Sequence, residues 1–160
     1  MKKIDITAQI TVFNSLEELP GDVQNLMEEA ISAREKSYSP YSKFKVGAAI
    51  FLDNNEIVTG SNQENASYPA GLCAERTALF YAGAKYPKAK MLKLALSGSA
   101  EDHLTDSPIP PCGSCRQAIS EYEVKQKIPV EIYFMGATGK IIKAESLSDL
   151  LPLSFKNSCL

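Results

Sequence analysis

The chain has 160 residues, 44% hydrophobic and 22% charged, with a formal net charge of -2. That length buries a core without disulfide support, and the composition excludes the low-complexity and disordered classes. The acidic balance argues against binding dominated by nucleic-acid phosphates, and no apolar run reaches the roughly 7–15 residues of a leader or the ~20 of a membrane span, so a cytoplasmic protein with no membrane partner is expected.

Residues 4–12 alternate, with Ile4, Ile6, Ala8, Ile10 and Val12 against mostly polar neighbours, which predicts a half-buried strand. After the Pro20-Gly21 break a helix is expected over about 22–36, capped by Asp22, with Val23, Leu26, Met27, Ala30 and Ile31 on one face. Pro40 follows its end, because the residue before proline avoids helical backbone. Residues 44–52 and 56–61 read as a hairpin around Asp53-Asn54-Asn55, and 62–72 as a loop. A second helix opens at Cys73 and is expected to close at Gly83. Met91 to Ser97 reads as a strand covered on both faces. The proline-rich stretch 98–111 leads into a third helix over about 113–123. Strands at 129–135 and 140–144, a short helix at 146–150 and an irregular tail complete the chain. No repeat or long linker divides it, so residues 1–160 read as a single domain. Helices interleaved with strands predict an α/β fold of three layers, α/β/α, around a central mixed sheet of about five strands. Residues 1–20 form an N-terminal extension.

Four cysteines, Cys73, Cys112, Cys115 and Cys159, in a reducing compartment point to metal binding or catalysis rather than disulfides. Cys73-Ala74-Glu75 and Pro111-Cys112-Gly113-Ser114-Cys115 each open a predicted helix. Cys112 and Cys115, three apart, can face one point from a first turn, and Cys73 joins them if the two helix starts lie side by side. Three thiolates with a free fourth position suit a catalytic zinc, one per chain. The helix N-termini favour the thiolate form. Three thiolates on a dication still sum to -1, and Arg76 is placed to offset this by hydrogen-bonding a ligand sulfur. Glu75 is the natural general acid/base beside the metal.

Cys73-Ala74-Glu75-Arg76-Thr77-Ala78 with Pro111-Cys112-Gly113-Ser114-Cys115-Arg116-Gln117 resembles the small, homotetrameric, zinc-dependent cytidine deaminases. Tyr38 to Ala49, Asn62 to Ala66 with Tyr68-Pro69, and Leu150 to Phe155 extend the resemblance over residues 22–155. It implies hydrolytic deamination of free cytidine and deoxycytidine in pyrimidine salvage, with Glu75 shuttling protons between water, the ring N3 and the leaving amine. It further implies that Asn62 and Glu64 bind the ribose, that Phe44 packs on the nucleoside, and that the backbone at Ala74 touches the base. Phe155 would reach the base from a neighbouring subunit, with Tyr41 and Tyr68 near the shared interface. The N-terminal extension, which adds a strand, and the longer 98–110 loop depart from the compact family pattern.

Simpler readings stand beside these. The three cysteines can be buried apolar residues, or Cys159 can join them in a closed structural site. Arg76 and Arg116 can be solvated helix residues, Asn62 and Glu64 can merely end a hairpin, and Phe44 and Phe155 can be core or interface residues. His103, the single histidine, lies in a polar loop and reads as surface-exposed. The competing functions are a related deaminase acting on an aminonucleoside antibiotic or a polynucleotide cytosine, and a non-enzymatic zinc-stabilised interaction domain. The Asn62-x-Glu64 pair favours a free nucleoside and no nucleic-acid partner. Glu75 speaks against a purely structural metal, which needs no acid/base at its side.

Overall fold

The computed structural model describes residues 1–156 and Cys159. In chain order the elements are β1 (Ile10–Phe13), α1 (Gly21–Arg34), β2 (Phe44–Leu52), β3 (Ile57–Ser61), α2 (Ala74–Lys85), β4 (Met91–Ala100), α3 (Gly113–Gln126), β5 (Glu131–Met135) and β6 (Ile141–Ala144). Short 3-10 turns occupy Leu16–Glu18, Tyr68–Ala70 and Leu147–Asp149. The strands form one sheet in the order β1-β6-β5-β4-β2-β3, parallel between β4 and β5 and antiparallel elsewhere.

Two apolar clusters make this a three-layer α/β/α structure. On one face Val23, Leu26, Met27 and Ala30 of α1 pack on Ala49, Ala95, Tyr133, Met135 and Ile141. Their spacing of three and four residues puts them on one helical stripe. On the other face Ala74, Ala78, Leu79 and Ala82 of α2 and Ile119 of α3 pack on Ala48, Ile50, Val58, Leu94, Leu96, Ile132 and Phe134. The central strands β2 and β4 are therefore buried on both sides, which explains their nearly unbroken apolar runs. Two glycines let the helices press onto the sheet. A Cβ on Gly47 would meet the Ala30 carbonyl oxygen at 2.0 Å, and one on Gly60 would meet the Ala78 amide nitrogen at 2.5 Å.

The sheet has six strands rather than about five, because the N-terminal extension supplies β1 at its edge. The expected strand over 4–12 is largely absent: only Ile10–Phe13 pairs, since its partner β6 spans just Ile141–Ala144. Ile4 and Ile6, without a facing strand, are exposed. Asp22 does not cap α1. Pro20 holds the cap position, and Asp22, in the first turn, accepts a hydrogen bond from Lys93 of β4. Gly83 does not end α2, which runs to Lys85. A Cβ on Gly83 would sit 2.3 Å from the Tyr122 hydroxyl, so this glycine admits α3 alongside α2. Among the described residues no helix is long and apolar enough to cross a membrane.

Candidate active site

The starts of α2 and α3 lie side by side on one face of the sheet. Cys73 and Cys112 are their N-cap residues, both extended, and Cys115 is buried in the first turn of α3. The Cys73 and Cys112 sulfurs are 3.8 Å apart, those of Cys112 and Cys115 3.5 Å, and all three lie within 4.8 Å of one another. A tetrahedral zinc with bonds of about 2.3 Å separates its sulfurs by about 3.8 Å, so the donor set fits that ion. Cys159 lies outside the cluster and is exposed. His103 is exposed and pairs with Asp102 at 2.7 Å.

Electrostatics around the sulfurs follow from their neighbours. The Cys115 thiol, and after it Arg76, hold the Cys73 thiol down to about 5. Cys115 is pushed up by its hydrogen bond with Cys73 and by burial. Arg76 donates from Nη2 to the Cys73 sulfur at 3.6 Å, while its buried Nε has no hydrogen-bond partner among the described residues. Glu75 is 5% exposed, and that burial raises its carboxyl above the usual range.

Two cavities share Asn62 and Cys73 in their linings. The inner one, about 180 Å³, is lined by Glu75, Cys73 and Cys112 and walled by Val46, Leu96, Gly98, Ile109 and Pro110. The outer one, about 480 Å³, is lined by Tyr41, Ser42, Glu64, Asn65, Tyr68 and Arg76, among others. The Glu64 carboxylate accepts the backbone N–H groups of Tyr41 at 2.9 Å and Ser42 at 3.2 Å, which fixes its place at the rim. Hydrogen bonding around Ser42 and these amides holds its carboxyl below the usual range. Asn62 accepts from the Val46 amide at 2.8 Å and donates to the Phe44 carbonyl at 2.9 Å, so it ties the end of β3 to the start of β2. The Tyr41 and Tyr68 rings meet edge to face, 6.1 Å apart.

Three other candidates do not themselves line these cavities. Ala74 is fully buried in the first turn of α2. Phe44 and Ile109 both lie over Gly98: a Cβ there would meet the Phe44 ring at 3.0 Å and Ile109 at 3.1 Å. Phe155 is exposed, its carbonyl accepting from Gln117 at 2.9 Å. Sequence reasoning missed Val46, Leu96, Gly98, Ile109 and Pro110 as cavity walls. For Ile109 and Pro110 the signal was their place just before Pro111-Cys112; the strand residues carried none.

Three cysteine sulfurs that could hold a zinc lie beside a cavity lined also by a buried carboxyl, that of Glu75. That arrangement activates water, and it defines the class of this protein as a metal-dependent hydrolase. Residues 20–131 match the family described as the cytidine and deoxycytidylate deaminase zinc-binding region. The chain belongs to that family. It is 41% identical to the cytidine deaminase of Halalkalibacterium halodurans over 84% of this chain and 94% of that one. It is 40% identical to that of Sporosarcina psychrophila, over 84% and 91%. The crystal structure of cytidine deaminase from Burkholderia pseudomallei superposes with a TM-score of 0.71 at 38% identity, covering 86% of this chain and 100% of that one.

Proposed function

We propose that this protein deaminates free cytosine nucleosides, converting cytidine or deoxycytidine and water to the uracil nucleoside and ammonia, in pyrimidine salvage. The observation that carries this reading is the buried Glu75 carboxyl in the same 180 Å³ cavity as Cys73 and Cys112. The activities of the relatives support the choice of substrate.

Cys73, Cys112 and Cys115 would hold a zinc, which when bound would lower the pKa of water toward neutrality and so supply the nucleophile. Arg76 offsets the excess thiolate charge. Glu75, its proton affinity raised by burial, takes a proton from the attacking water and delivers it to the pyrimidine N3 as C4 becomes tetrahedral. Glu75 next takes the second proton, from the new C4 hydroxyl, and gives it to the 4-amino group; the C4–N bond breaks as the C4 carbonyl forms, ammonia leaves, and the carboxylate is ready for the next water. The apolar walls of the inner cavity suit a single flat ring, with the Ala74 backbone beside it and Phe44 packing at its edge. The polar outer cavity suits a ribose, bound by Asn62 and Glu64. Tyr68, Leu153 and Phe155, 76%, 89% and 60% exposed, suit a subunit interface; in the homotetramer that the family resemblance implies, Phe155 would enter a neighbouring site near Tyr41 and Tyr68. The reading places the protein in the cytoplasm with no nucleic-acid partner.

Purified protein incubated with cytidine, followed by loss of the cytosine absorbance band, tests the reaction, with metal content measured alongside. Conversion to uridine with about one zinc per chain is expected. Zinc without turnover of either nucleoside would reject the substrate assignment, and protein lacking both would reject the mechanism.

A further inference from the structure

Arg116 and Gln117 take no part in the chemistry above, yet both side chains leave α3 to bind the backbone of other segments. Arg116 donates from Nε to the Pro111 carbonyl at 2.8 Å and from Nη1 to the Leu150 carbonyl at 2.7 Å. Pro111 is fully buried, and its carbonyl belongs to the peptide that enters Cys112. This carbonyl lies one residue outside the helical ladder, whose first acceptor is the Cys112 carbonyl, bound by the Arg116 amide at 2.9 Å. One residue thus satisfies both carbonyls that flank the Cys112 Cα, that of Cys112 through its backbone amide and that of Pro111 through its charged guanidinium.

The other arm reaches the segment that carries Phe155. Leu150 follows the Leu147–Asp149 turn, whose Leu147 amide donates to Glu123 of α3 at 2.9 Å. Five residues on, Gln117 holds the Phe155 carbonyl at 2.9 Å. Between these anchors the chain bends at Leu153, whose backbone is left-handed at φ 60°. The segment is therefore fastened at both ends to the helix that opens with the zinc ligands, while Leu153 and Phe155 project outward.

We infer that Arg116 is a positioning residue that couples the metal site to the C-terminal segment: one guanidinium fixes the peptide delivering Cys112 and the start of the segment presenting Phe155. A planar fork is needed, because the two carbonyls lie on separate segments and a lysine ammonium reaches one of them at a time. The metal arm stands on geometry; the Phe155 arm rests on the nucleoside-deaminase reading.

The test compares Arg116→Met and Arg116→Lys in the zinc-loaded, full-length protein. Zinc release to a chromophoric chelator is timed without substrate, and kcat and KM for cytidine are measured separately. Arg116→Met is expected to release zinc about tenfold faster or more, and to raise KM several-fold. Arg116→Lys should restore one of these readouts at most. In a double-mutant cycle, Phe155→Ala should raise KM less in the Arg116→Met background than in the wild type. Wild-type zinc release and KM in Arg116→Met, whatever happens to Tm, would overturn the proposal and leave Arg116 a structural residue. Full rescue of both readouts by lysine would also overturn it, and strict additivity with Phe155→Ala would remove the coupling. If the methionine variant does not fold, Arg116→Lys carries the test: a change in zinc release or in KM is expected, and wild-type values of both would overturn the proposal. Since zinc release needs no substrate, failure to turn over cytidine would reject the functional reading without deciding this one.

Discussion

Replacing Gly60 by alanine tests how the sheet sets the metal site. A Cβ at this position of β3 would lie 2.5 Å from the Ala78 amide nitrogen and 2.7 Å from the Ala74 carbonyl oxygen. Both are backbone atoms of α2 and cannot swing aside. Ordinary contact begins near 3.4 Å, so the helix must retreat by roughly 1 Å. Overpacking of this kind costs about 1–3 kcal/mol of stability. The larger effect falls on catalysis, because Cys73 and Glu75 ride on that turn while Cys112 and Cys115 stay with α3. A misplacement of about 1 Å at reacting groups costs around 10²-fold in rate, and a similar loss in kcat is expected. Leu26→Ala, fully buried on α1 against the opposite face, is the control. It should cost about 2–5 kcal/mol while leaving kcat per zinc-loaded molecule unchanged. Calorimetric Tm, zinc content and kcat are read for both variants. Wild-type kcat in Gly60→Ala, or an equal loss in Leu26→Ala, would refute the reasoning.

Glu75→Gln keeps the shape of the buried side chain but cannot exchange protons; kcat should fall by about 10²–10⁴ with zinc content unchanged. Surviving turnover would remove Glu75 from the mechanism. Asn62→Ala strips a donor and an acceptor from the Phe44 and Val46 backbone, so it should lower stability by about 1–3 kcal/mol in the absence of any nucleoside, measured by urea unfolding. The Lys93 hydrogen bond holds the Asp22 carboxyl below the usual range. Its stabilisation is therefore present above the ordinary carboxylate value and lost as pH falls through the depressed one. Asp22→Asn should lower Tm at pH 7 by an amount equivalent to ~0.2–1 kcal/mol, screened because Asp22 is exposed, and the gap should close in acid. A gap that widened on acidification would contradict the sign.

The chemistry of the site was legible because it is local. Cys73 and Cys112 occur where helices begin, and Cys115 and Glu75 fall within the first turns, so short spacings carry the geometry. The hairpin showed equally well, with strands observed at 44–52 and 57–61 around the Asp53-Asn54-Asn55 turn. What failed depended on partners distant in the chain. Alternation from Ile4 to Val12 signalled strand but not the length of β6, which alone decides how much can pair. Gly83 has the composition of a helix stop, yet its use is set by Tyr122 on another helix. Asp22 looks like a cap until Lys93 of β4 is placed beneath it. The walls formed by Val46, Leu96 and Gly98 look like any buried strand, since nothing local marks which end of a strand faces a cavity.

Cys73 and Cys112 stand 39 positions apart, and the whole of β4 lies between them. β4 pairs with β2 on one side and β5 on the other, so the strand between the two cysteines holds the sheet across its middle. A zinc shared by Cys73 and Cys112 would close that long loop as a crosslink does, and its binding free energy would add to the stability of the folded chain.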